Sequence, residues 1–105
     1  MNSITLNFIR SEIKNQTYEI SWHADEERLA DGVSIFQLEF VLNRGEILED
    51  YPDDPRGHSC LVCGFTLEEQ PVHVVCGKNR NGHLIIITVY IPTMPKWKDS
   101  HNRNR

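Results

Sequence analysis

Apolar positions recur at two different periods along this chain, and the change of period divides it. Leu6, Ile9 and Ile13 are spaced i, i+3, i+7, with Ile4 and Phe8 beside them, while Arg10, Glu12 and Lys14 take the other side. That spacing predicts a helix over residues 3–15. Tyr18-Glu19-Ile20-Ser21-Trp22 alternates and predicts a short strand that ends at His23. Residues 24–30 are rich in helix formers, and Asp31-Gly32 breaks the run. Ser34-Ile35-Phe36-Gln37 matches a capping box, with Ile35, Leu38, Val41 and Leu42 as the buried stripe of a third helix. Asn43-Arg44-Gly45 supplies its stop.

Beyond Gly45 the period shortens. Glu46–Tyr51, Ser59–Leu67, Pro71–Cys76 and His83–Ile91 read as strands, separated by the loop Pro52–Gly57, the turn Glu68–Gln70 and an Asn81-Gly82 hairpin signal. Leu84 to Ile87 is an unbroken apolar run, so residues 83–91 should be an interior strand. Leu6, Ile9, Leu38, Leu42, Ile85 and Ile87 are the expected core. Helices first and hairpin-linked strands after is an α+β order: an antiparallel sheet of four to five strands with the N-terminal helices on one face. Residues 1–97 make one domain in this reading, and 98–105 a polar, basic tail.

Length and composition agree with that picture. The chain has 105 residues, 39% hydrophobic and 25% charged, which suits one globular domain rather than a disordered segment. It contains no apolar run of the roughly 18 residues needed to cross a bilayer. Met1-Asn2-Ser3-Ile4 lacks the basic start of a secretory signal, and three cysteines do not form a disulfide framework. A cytoplasmic protein without membrane association is expected. The net charge of -4 is unevenly spread: residues 1–77 carry 5 Lys/Arg against 14 Asp/Glu, and residues 78–105 carry 6 against one. A basic end on an acidic body suits either a polyanion contact or a solvated tail.

Three residues could do proton chemistry. His23 sits where a strand gives way to a helix, whose first N–H groups can receive a phosphate or simply the His itself. His73 alternates against Val72 and Val74, and Tyr90 against Val89 and Ile91. If the last two strands pair around Asn81-Gly82, His73 and Tyr90 share a face, either as an acid/base pair or as a satisfied polar pair. Arg56 lies in a loop between acids and turns, where it can contact phosphate or pair locally. Cys60, Cys63, His73 and Cys76 have the C-x2-C-x9-H-x2-C spacing of zinc ligands. In an extended strand, however, Cys60 and Cys63 point to opposite faces, so no metal is expected there. No cofactor motif is present in the sequence.

Several segments together resemble a small bacterial family, the domain of unknown function 4258, over about residues 18–97. They are Ser21-Trp22-His23-Ala24, Asp31-Gly32-Val33-Ser34, Tyr51-Pro52-Asp53-Asp54-Pro55-Arg56-Gly57, Gly64, Pro71-Val72-His73-Val74-Val75, Thr88-Val89-Tyr90-Ile91-Pro92 and Trp97. Relatives often carry arginines where this chain has Glu27 and Asp31, so no catalytic arginine is assigned to that helix. The family is similar to the RelE-like toxin group. The resemblance implies a metal-independent endoribonuclease acting on mRNA, free or on the ribosome, as one half of a toxin–antitoxin pair with a small DNA-binding antitoxin. His23, His73 and Tyr90 would then be acid/base candidates. Arg56, Lys78, Arg80, Lys96 and Lys98 would hold phosphate. The competing expectation is a non-catalytic binding module that docks a partner protein, with His and Tyr structural.

Overall fold

The structure, a computed structural model, describes residues 4–93 and 100–101. Helix α1 spans Leu6–Asn15, strand β1 Glu19–Ile20, helix α2 Trp22–Ala30 and helix α3 Ile35–Arg44. Strands β2 (Glu46–Tyr51), β3 (Ser59–Phe65), β4 (Pro71–Lys78) and β5 (Leu84–Tyr90) follow. The fold is α+β, with five strands in the order β1-β5-β4-β3-β2. Strands β2 to β5 are antiparallel, as expected, but β1 lies parallel to β5, pairing Glu19 with Ile85 and Ile20 with Ile86. The sheet is therefore mixed, because β1 returns to β5 only after α2, α3 and three strands. Strand β5 is interior, between β1 and β4.

Local chemistry fixes the helix starts. Thr5, Ser21 and Ser34 each accept a backbone N–H from the first turn, and Ser34 with Gln37 forms the complete capping box. Ser21 as a cap moves Trp22 and His23 out of the expected strand and into the first turn of α2. The stop after α3 differs in mechanism from the expected one. Gly45 caps the helix in an extended conformation (φ -79, ψ 176), so the left-handed freedom of glycine is not what it supplies. It is there for close approach: a Cβ would lie 2.7 Å from Val62 Cγ1 and 2.9 Å from the Val41 carbonyl. Gly64 is tighter still, at 2.4 Å from the same Val41 oxygen. Two glycines thus let α3 lie directly on β3.

The core lies between the helices and one sheet face. Ile9, Ile13, Ala24, Leu38, Val41 and Leu42 meet Cys60, Val62, Val72, Val74, Cys76, Leu84, Ile86 and Val89 there. Ile9, Leu38 and Leu42 are core as expected, but Leu6, Ile85 and Ile87 are only half-buried. The reason is register. Leu84 and Ile86 point to the helices, then the ladder slips between Val75 and Cys76, leaving Ile87 extra on β5 and restoring Val89 to the core. The expected Asn-Gly hairpin is present, its turn spanning Asn79–His83 between β4 and β5. Gly82 adopts φ 82 and donates to Asn79 O, while Asn79 Oδ1 accepts from Asn81 and His83 N–H groups.

Candidate functional site

Alternation along β3 and β4 sorts the chemistry onto two faces. Cys60 and Cys76 are register partners and join the helix-side core; Cys63 and His73 are partners on the opposite face. The C-x2-C-x9-H-x2-C set is therefore split two and two by the sheet itself and cannot close on one ion in this fold. Among the described residues all three thiols are free and buried. The hydrogen bond shared with Cys60, with burial, holds the Cys76 thiol well above its usual range. Burial, helped by Glu46, pushes Cys63 up to about 11.

His73 and Tyr90 are directly opposed across β4 and β5. Tyr90 Oη is 3.1 Å from His73 Nδ1, and the rings meet edge-on at 5.1 Å. His73 Nε2 lies 2.7 Å from the Ser100 carbonyl, which can only accept. Nε2 therefore carries the proton, and in the neutral ring Nδ1 accepts from the Tyr90 hydroxyl. Ser100 O also receives the Cys63 thiol, while His101 stacks on Phe65 and reaches Glu46 at 2.8 Å. Residues 100–101 thus lie across this face, and His73 is wholly buried beneath it.

His23 is not brought to this pair. It rides on α2, whose Ala24 faces the core on the other side of the sheet, and its side chain is 68% exposed with Nε2 3.2 Å from Glu27. The expectation of one cleft holding His23, His73 and Tyr90 is corrected accordingly. Asp25, Glu26 and Glu27 share its first two turns, so an anion approaching His23 meets three carboxylates. Glu27 is structural as well: its Oε1 accepts the Val89 N–H and seals the edge of β5.

The phosphate candidates converge elsewhere. Pairing of Ser59 with Gly77 places the start of β3 beside the end of β4. A cleft of about 270 Å³ opens there, lined by Gly57, His58, Lys78, Asn79, Arg80 and Gly82. Two cations expected to hold phosphate, Lys78 and Arg80, are therefore in one place. The Lys78 ammonium is 4.6 Å from the Phe8 ring centroid, which orients it. Arg56 precedes the cleft wall but is bound to Asp54 through both Nε and Nη2, each at 3.2 Å. Those hydrogen bonds hold Asp54 down at about 2. Lys96 and Lys98 lie outside the described residues.

One group in the cleft was not singled out from sequence. His58 Nε2 is 2.5 Å from Asp50 Oδ1, with the His side chain 19% exposed. The signal was the register: Asp50 pairs with Cys60, and His58 stands two residues before Cys60, so both point to the same face. Seeing it requires knowing how β2 and β3 align across a seven-residue loop.

Among the described residues no helix is long and apolar enough to cross a membrane. No curated protein and no solved structure matches the chain. The family model described as Domain of unknown function (DUF4258) matches residues 20–91, which takes in α2, α3 and the whole of β2 to β5, and the chain belongs to that family.

Proposed function

We propose that this protein is a RelE-like, metal-independent endoribonuclease of the bacterial cytoplasm that acts on mRNA as one half of a toxin–antitoxin pair. The observation that supports it best is the cleft: Lys78 and Arg80 line one pocket with His58, beside the Arg56 loop. Cations and a histidine in a common recess suit a phosphodiester, whose developing charge needs such groups. His73 and Tyr90 were the acid/base candidates of the sequence. With both His73 ring nitrogens engaged and the ring buried, their part in this reading is to hold the sheet face. The test is induction in a bacterial host, followed by cleavage of mRNA by purified protein in excess EDTA, with and without ribosomes. Growth arrest and EDTA-resistant cleavage are expected; neither, with ribosomes present, would end the enzyme reading.

A second reading has its own observation. Trp22 is 82% exposed and lines a shallow recess with Ile20. With Asp25 and Glu26 beside Trp22, this surface suits a basic, apolar partner segment, as a binding module requires. Pull-down of such a partner with unchanged binding by a Trp22→Ala variant would remove that support.

A further inference from the structure

We infer that His58, oriented by Asp50, is the general base of the cleft and takes the proton from a ribose 2′-hydroxyl of single-stranded RNA. The inference rests on the endoribonuclease reading and names the residue at which its chemistry occurs. Asp50 Oδ1 accepts from His58 Nε2 at 2.5 Å, so Nε2 carries the proton and Nδ1 is left as the basic nitrogen. A carboxylate behind one ring nitrogen fixes the tautomer and supports the imidazolium that forms at the other. Lys78, Asn79 and Arg80 line the same recess and can engage the non-bridging phosphate oxygens. The wall that presents His58 turns on Gly57 at φ 111, and the facing wall on Gly82 at φ 82. Neither glycine has an atom within 4 Å of where a Cβ would lie, so the space over each is open.

The step balances without a metal. The 2′-hydroxyl proton passes to His58 Nδ1, and the 2′-oxygen bonds to phosphorus. The bond from phosphorus to the 5′-oxygen breaks, and that oxygen takes a proton from water. A 2′,3′-cyclic phosphate and a free 5′-hydroxyl result, and His58 returns its proton to solvent. DNA, lacking the 2′-hydroxyl, is not a substrate.

The experiment compares wild type, His58→Gln and Asp50→Asn, on cleavable RNA and on a 2′-O-methyl RNA that reports binding alone. Expected are a loss of about 100-fold or more in cleavage rate for His58→Gln and at least about tenfold for Asp50→Asn, each with the dissociation constant for 2′-O-methyl RNA unchanged. Wild-type fragments should end in a cyclic phosphate. If wild type cleaves and both variants cleave within threefold of it, the assignment of His58 is overturned while the endoribonuclease reading stands. If wild type cleaves nothing, both fall together. Should His58→Gln fail to fold, Asp50→Asn decides alone, since Asp50 is half-exposed at a strand end.

Discussion

Glu12 of the first helix accepts the backbone N–H of Leu84, the first residue of the interior strand β5, at 2.8 Å across 72 positions of sequence. The same carboxylate lies 3.1 Å from His83 Nδ1. Burial alone would raise its pKa. The hydrogen bonds from Leu84, Thr17 and His83 outweigh that and hold it below its ordinary value. Because the folded value is depressed, the charged form stabilises the fold. The contribution is fully present above the unfolded carboxylate pKa of about 4.3 and is lost as pH falls through the lower folded value. Glu12→Ala should cost about 2 kcal/mol at pH 7. Urea unfolding at pH 7 and at pH 3 should show that gap shrink in acid; a gap independent of pH would contradict the role of the charge.

Gly64 and Gly82 are both glycines for a reason, but the reasons differ in size. At Gly64 a Cβ would stand 2.4 Å from the Val41 carbonyl, a backbone atom with no room to yield. Gly64→Ala should cost about 3 kcal/mol. Gly82 has open space but a left-handed φ of 82, so Gly82→Ala should cost about 1 kcal/mol. Denaturant midpoints for the two variants give the order directly, and equal losses would show that α3 does not lie on β3 as described.

The pair His73 and Tyr90 was legible from alternation together with the Asn81-Gly82 hairpin signal, which makes the last two strands neighbours. So were the three helices, the Ser34 capping box and the split of Cys60 from Cys63. What was not legible depends on register. Ile85 and Ile87 read as core from sequence, because four apolar residues in a row do not say which pair faces the helices. The slip between Val75 and Cys76 settles it for Leu84, Ile86 and Val89. The direction of β1, the contact of Asp50 with His58 and the distance of His23 from His73 are likewise long-range facts. They arise from pairing across loops and from the side of the sheet on which α2 lies.

Tyr90→Phe separates a structural pair from a catalytic one. Removing the hydroxyl takes away the group at His73 Nδ1, inside a site where His73 is wholly buried. A loss of about 1–3 kcal/mol is expected from that unsatisfied nitrogen. RNA cleavage per folded molecule should be retained. Cleavage abolished at unchanged stability would return His73 and Tyr90 to the acid/base role.

The thiols offer a test of burial. Cys60, Cys63 and Cys76 are buried, and Cys63 is pushed up to about 11. At pH 8 a native sample should therefore react with a disulfide reagent far more slowly than an unfolded one, which should titrate three thiols. Rapid native labelling of Cys63 would mean that Ser100 and His101 do not stay on the sheet face.

RNA phosphate contacts, finally, leave a signature in salt. Each contact on a single strand contributes about 0.7 to the slope of log affinity against log salt concentration. Arg80 is exposed at the cleft rim, so Arg80→Ala removes charge with little packing. Lys78 rests on Phe8, so Lys78→Gln is the better choice there, keeping the aliphatic stem that packs on the ring. Each variant should flatten the slope for 2′-O-methyl RNA by about 0.7, and the double variant by about twice that. Arg56→Ala should do less, because Arg56 is already committed to Asp54 through two hydrogen bonds. His23→Ala should leave the slope where it was, since His23 is set among carboxylates on α2. If Lys78→Gln and Arg80→Ala keep the wild-type slope while RNA still binds, the phosphates lie against another part of the surface and the cleft is not their site.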